Sequence, residues 1–198
     1  MITIDQGLPA TPAGRKRWSR DDCKFLVNAG LLKGRYELLD GEIVTKMGQN
    51  GPHAIAVMFV IGYLLSVFPR LRVRTQATME VREDDRITNR PEPDVVALRE
   101  SFSRIPTGEQ VLLAVEVSDT TQADDYGHKV SLYARAGVQE YWVLDLQRRV
   151  LVAFREPAGD EWQVRAEYAE GETLAPLCAP DSSIAVADLL PPADLPTE

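Results

Sequence analysis

Apolar residues follow several different rhythms along this chain, and each rhythm predicts a different element. The long run from Ala54 to Phe68, closed by Pro69, predicts a helix buried against a sheet, with a polar loop from Gly48 to Pro52 leading into it. Two short runs rich in Val and Leu, Val95–Leu98 and Val111–Val117, are bounded by turn residues and predict buried strands. From about Gln122 to Ala136 the spacing is helical, and Gly137 stops it. Glu140–Asp145, Val150–Arg155 and Glu161–Tyr168 then read as successive strands.

The flanking segments are shorter. Ser19 is a candidate N-cap followed by Asp21 and Asp22, predicting a short helix with Phe25, Leu26 and Ala29 inward that ends at Gly30. Tyr36–Val44 predicts a hairpin turning at Asp40-Gly41. Leu71–Thr75 and Thr78–Arg82 read as strands, and Arg99–Gln110 as a loop. Ile184–Leu190 reads as an edge strand leading into one helical turn. The expected class is α/β: a mixed sheet flanked by the 54–68 and 123–136 helices, extended by hairpins at both ends. The crossover through the second helix should be right-handed if its flanking strands are parallel. One domain is expected over residues 18–190, with a flexible arm at 1–17 and a flexible tail at 191–198.

Composition narrows the class. The 198 residues are 44% hydrophobic and 26% charged, as in ordinary globular proteins. Two cysteines, Cys23 and Cys178, make neither a disulfide framework nor a CxxC site. No signal peptide is read at the N-terminus, and the 54–68 run is too short to span a membrane, so the expectation is a cytoplasmic protein. The net charge of −8 argues against a protein that coats nucleic acid. It leaves room for an enzyme with a local basic patch. Arg70, Arg72, Arg74, Arg82, Arg86 and Arg90 crowd one segment, but Glu80, Glu83, Asp84 and Asp85 dilute it, which favours a solvated strand and turn.

Candidate chemistry lies between Arg90 and Tyr133. Asp94 follows Pro93 and opens a buried strand, and Glu116 interrupts an apolar one. Acids are almost never fully buried unless they are paired or hold a metal. Two carboxylates on neighbouring strands are therefore a candidate metal site. Asp125, Lys129 and Tyr133 fall at i, i+4 and i+8 on one helical face, which could bring the Lys129 ammonium to the acids. Two acids around a hard cation, with a lysine beside them, suit phosphodiester hydrolysis. Plainer readings exist for each residue. Asp94 could cap a turn, Lys129 could simply pair with Asp125, and Ser118 and Thr120 could cap the next helix. Tyr141 and Trp142 are read as core, and His128 as surface. Gln76 is left open.

These residues resemble a known family. Pro93-Asp94, Glu116-Val117-Ser118, Asp125, Lys129 and Tyr133, then Gly137-Val138-Gln139-Glu140-Tyr141-Trp142-Val143-Leu144-Asp145, look like the Uma-two family. Those are restriction-endonuclease-like proteins of the PD-(D/E)XK superfamily. The resemblance extends back to His53 and to Tyr36–Ile43, and covers about Trp18 to Leu190. It implies a nuclease fold, with Asp94, Glu116 and the Val117 carbonyl binding Mg²⁺ or Mn²⁺. It also implies site roles for Glu37, as an auxiliary metal or water contact, and for His53, near the scissile phosphate. One position departs: the superfamily's short form has its lysine two residues after the glutamate, where this chain has Ser118. The resemblance implies that Lys129 takes over.

The expected function is a metal-dependent endonuclease acting on DNA. A catalytically inactive nuclease fold that serves as a binding scaffold is the alternative from another class. A metal-dependent hydrolase of small phosphate esters is a third reading. Cutting both strands of a duplex favours two sites, so the reading admits a homodimer.

Overall fold

In the computed structural model, which describes residues 16–46, 51–101, 104–119 and 125–194, three helices and ten strands follow one another. They are α1 (Arg20–Asn28), β1 (Tyr36–Leu39), β2 (Glu42–Thr45), α2 (Gly51–Val67), β3 (Val73–Thr75), β4 (Val95–Leu98), β5 (Val111–Ser118), α3 (His128–Ala136), β6 (Glu140–Asp145), β7 (Val150–Ala158), β8 (Glu161–Ala169), β9 (Thr173–Leu174) and β10 (Ile184–Ala185). Six strands form one mixed sheet in the order β3-β4-β5-β6-β7-β8. Only β5 and β6 run parallel, and α3 lies in the connection between them. The other neighbours in this sheet are antiparallel.

The two central strands are buried along their whole length, as the Val- and Leu-rich runs predict. Alternation sorts their side chains into two cores. Leu113, Val115 and Val117 of β5 pack with Val57, Val60 and Leu64 of α2. Ala114 faces the other way, with Leu132, Tyr133 and Ala136 of α3. The even positions of β5 beyond Ala114 therefore point towards α3, and the next of them is Glu116. The C-terminal end of α3 sits directly on Gly108, where a Cβ would come within 2.2 Å of the Ala136 carbonyl oxygen.

Several expectations need correction. In α1 the capping box of Ser19 and Asp22 forms, but the buried side chain is Cys23, while Phe25 is 58% exposed. The 54–68 helix starts earlier, at Gly51, so Pro52 and His53 stand in its first turn. Thr78–Arg82 alternates and does bury Met79 and Val81, yet it is not a strand. Its amides go to the Pro91 and Pro106 carbonyls, and prolines lack the N–H that would continue a ladder. The 99–110 loop closes with a 3₁₀ turn at Gly108–Gln110. Helix α3 runs from His128 after a turn at Tyr126 and Gly127, and the predicted start near Gln122 lies outside the described residues.

The hairpin of β7 and β8 extends the main sheet as expected, but the N-terminal hairpin does not. β1 and β2 make a sheet of their own around Asp40 and Gly41, both at positive φ. That hairpin meets the rest through reciprocal backbone bonds between Leu38 and Arg90. β9 and β10 form another separate pair, followed by a 3₁₀ turn at Val186–Leu189. Of the expected arm, Arg17 is described, and its guanidinium donates to the Asp40 carbonyl at 2.7 Å. At the other end Arg149 donates to the Pro191 carbonyl.

Candidate active site

Strand register brings the two acids together. Val95 pairs with Val115 and Val96 with Ala114, so one rung further Asp94 stands opposite Glu116 on the α3 side of the sheet. Pro91 and Pro93 hold the approach extended. The Val117 amide then donates to Asp94 Oδ2 at 3.0 Å, fixing the carboxylate against β5. His53, from the first turn of α2, approaches the same Oδ2 through Nε2 at 3.4 Å.

Helix α3 and the hairpin close the other sides. Lys129 Nζ lies 3.0 Å from Glu116 Oε1, 3.1 Å from Glu37 Oε2 and 3.1 Å from Asp125 Oδ1. Three carboxylates thus surround one ammonium as ion pairs. One turn on, the Tyr133 hydroxyl donates to Glu116 Oε1 at 2.7 Å. The Tyr141 hydroxyl donates to the Asp125 carbonyl, anchoring the start of this segment. Glu37 also accepts the Glu92 amide at 2.6 Å. Lys46, just beyond β2, donates to the Glu92 carbonyl at 2.6 Å, lies 3.5 Å from Glu37 Oε2 and stops 4.0 Å short of Asp94 Oδ1.

Electrostatics follow from this packing. Burial alone would raise the Asp94 pKa, but the His53 contact and the charges of Lys46 and Lys129 outweigh it and bring it down to about 2. Burial pushes the Glu116 carboxyl up to about 8, against the pull of Lys129 and with the help of Asp94. Burial would also strip the proton from Lys129, yet Glu116, Glu37 and Asp125 hold its pKa well above the ordinary value. The Tyr133 hydroxyl is pushed up by burial and by Glu116, so it remains a donor.

Four carboxyl groups thus face two ammonium groups. The shortfall of positive charge shows in Glu116, which has no hold on its own charge stronger than a lysine it shares with two other acids. Added positive charge beside Asp94 and Glu116 would relieve it. Hard oxygen donors are the ligand set of Mg²⁺ or Mn²⁺. Among the described residues no three His, Cys, Asp or Glu side chains form a metal cage. Mg²⁺ is commonly held by one or two carboxylates, with water and substrate oxygens completing its shell, so two acids suffice. Val117 offers a third oxygen. In an extended strand the N–H and C=O of a residue point the same way, here towards β4. Its register partner, Pro93, has no N–H to take that carbonyl.

All five side chains singled out from the sequence, Asp94, Glu116, Lys129, Glu37 and His53, therefore meet in one cluster. Lys46 is the residue the sequence reading missed, although its signal was available. A two-residue turn at Asp40-Gly41 sets Glu37 opposite Val44, and continuing that register sets Lys46 opposite Arg35, on the face of Glu37. Gln76 touches the site through its backbone, donating to the Asp94 carbonyl, while its side chain accepts from Arg35. Among the described residues Ser118 caps no helix: it ends β5 with its side chain buried, and Gly127 is the N-cap of α3. Thr120 lies outside the described residues. His128 is exposed, and Tyr141 and Trp142 are core. Several of the crowded arginines are tied locally, Arg72 to the Leu98 carbonyl, Arg74 to that of Arg104 and Arg90 to Glu92.

A solved structure from Anabaena variabilis, described as a putative nuclease belonging to DUF820, has a similar fold. It aligns with a TM-score of 0.61 at 16% identity, covering 83% of this chain and 96% of its own. No curated protein matches the chain. The family model Uma2, described as "Putative restriction endonuclease", matches residues 31–187, a span that takes in every side chain of the cluster from Glu37 to Tyr133. With a nuclease-like fold and a family match over most of its length, this chain belongs to the Uma2 family.

Proposed function

We propose that the chain is a metal-dependent endonuclease that hydrolyses DNA phosphodiester bonds. The observation that carries this reading is the cross-strand pair of buried acids, Asp94 and Glu116, set opposite each other on neighbouring strands with Lys129 beside them. Asp94, Glu116 and the Val117 carbonyl would hold Mg²⁺ or Mn²⁺. When bound, such an ion lowers the pKa of water and neutralises phosphate charge.

The remaining residues prepare that site. The Val117 amide and His53 fix Asp94 through Oδ2, while Lys46 stands 4.0 Å from Oδ1. Lys129 and Tyr133 both hold Glu116 Oε1 and set its rotamer. Lys129 remains protonated among its three acids, so it does not act as a proton acceptor. Glu37 orients Lys129 and Lys46 together. A duplex substrate would be cut by two copies, one site per strand.

The same lysine cage favours a second reading, an inactive nuclease fold that acts as a scaffold, because an ammonium matched to three carboxylates is already satisfied. Calorimetric titration with Mg²⁺ and Mn²⁺ separates the two. The endonuclease reading expects binding to the wild-type chain that Asp94→Asn and Glu116→Gln each abolish. Absence of binding, or binding indifferent to both substitutions, would replace it with the scaffold.

A further inference from the structure

Two lysines enter the cluster, and they are not equivalent. Lys129 is 4% exposed in its side chain, and three carboxylate oxygens enclose its ammonium as ion pairs at 3.0–3.1 Å. Burial and this ring of acids keep it out of a substrate's reach. Lys46 is 19% exposed, and among the described residues its one short hydrogen bond is to the Glu92 carbonyl. Its other two contacts are long, 3.5 Å to Glu37 and 4.0 Å to Asp94 Oδ1.

The two oxygens of Asp94 differ in the same sense. Oδ2 takes the Val117 amide and His53, whereas Oδ1 looks towards Lys46 across a gap too wide for a hydrogen bond. A group bound at Oδ1 would meet the Lys46 ammonium next. His53, at 17% exposure, stands on the other side of the same carboxylate. The accessible side of the cluster is therefore framed by Lys46 and His53, with Lys129 behind it.

We infer that Lys46 is the substrate-facing cation of this site and contacts the phosphate at the cleavage position, while Lys129 is a positioning residue that holds Glu116. This rests on the endonuclease reading and assigns within it the task that the family resemblance gives to Lys129. Lys46 fits the task because an ammonium on a flexible stem, partly hydrated and incompletely paired, can give a donor to a phosphate oxygen without breaking a buried network.

The test is equilibrium binding of a labelled DNA duplex of mixed sequence, followed by fluorescence anisotropy across a salt series with Ca²⁺ present. Each phosphate contact contributes about 0.9 to the slope of log K against log salt. Lys46→Gln should lower that slope by about one such contact and weaken binding, and Lys46→Arg should restore it. Lys129→Gln, provided circular dichroism shows it folded, should leave the slope unchanged. Thermal melting of Lys46→Gln close to wild type excludes unfolding as the cause. An unchanged slope in Lys46→Gln overturns the assignment, as does the loss appearing in folded Lys129→Gln instead. If the wild-type chain neither binds the duplex nor cleaves it with Mn²⁺, the endonuclease reading fails and this inference falls with it.

Discussion

The backbone amide of Val117 donates to Asp94 Oδ2 at 3.0 Å, so the strand that carries one candidate metal ligand also orients the other. Asp94 is the ligand whose charge the fold protects best. It titrates at about 2 when folded, against an ordinary value of 3.8. The folded chain therefore binds this proton more weakly than the unfolded one. Its contribution to stability is complete above about pH 4 and is lost as the pH falls towards 2, about 2 kcal/mol in all. Urea unfolding in metal-free buffer at pH 5 and pH 3 should show a smaller loss for Asp94→Asn than for wild type. Equal losses would mean that Asp94 has no such hold on its charge.

Lys129→Met should be strongly destabilising. It leaves Glu37, Glu116 and Asp125 buried without their shared ammonium, and removing one partner of a buried ion network typically costs about 3–5 kcal/mol. A fall in the denaturation midpoint at constant slope would report it. A change under about 1 kcal/mol would mean that the three acids find other partners, or take up protons at little cost.

Gly108→Ala should also destabilise, through backbone rather than charge. A methyl group there would come within 2.2 Å of the Ala136 carbonyl oxygen, so α3 must shift, at about 1–3 kcal/mol. Because α3 carries Lys129 and Tyr133, metal affinity should fall along with the melting temperature. Gly62→Ala is the control. It lies on the exposed side of α2 with nothing within 4 Å of the new methyl group, and should add up to about 1 kcal/mol.

Ser118 lies two residues after Glu116, and its hydroxyl is buried with no hydrogen-bond partner among the described residues. Ser118→Ala removes that unsatisfied group and should raise stability by about 1 kcal/mol, measured by thermal or urea unfolding. A loss of stability would reveal a partner for the hydroxyl.

Much of this site was legible because strand chemistry is legible. A carboxylate inside an apolar run is conspicuous, and both Asp94 and Glu116 stood out for that reason. The same signal has a limit. Glu140 is also a fully buried acid at a strand start, yet it is satisfied by Trp142 Nε1, Arg155 and the Leu177 amide, and it serves the fold alone. Burial of an acid locates a network, and only its partners tell what the network does. Lys46 was harder to see, since its partners Glu92 and Asp94 lie more than forty residues away and only the hairpin register points to them. Thr78–Arg82 failed differently. Its alternation was real, but the segments beside it bring Pro91 and Pro106, and its pairing stops at an isolated bridge between Glu80 and Thr107.

The hairpin formed by β1 and β2 is a separate sheet that nevertheless supplies Glu37 and delivers Lys46 to the cluster. A fragment starting beyond residue 46 would retain every strand of the main sheet, yet its Lys129 would face two acids instead of three and its Asp94 would lose a neighbouring cation. Neither piece of a chain divided there holds the whole cluster. Mixed together, the two pieces could recover it only by docking again.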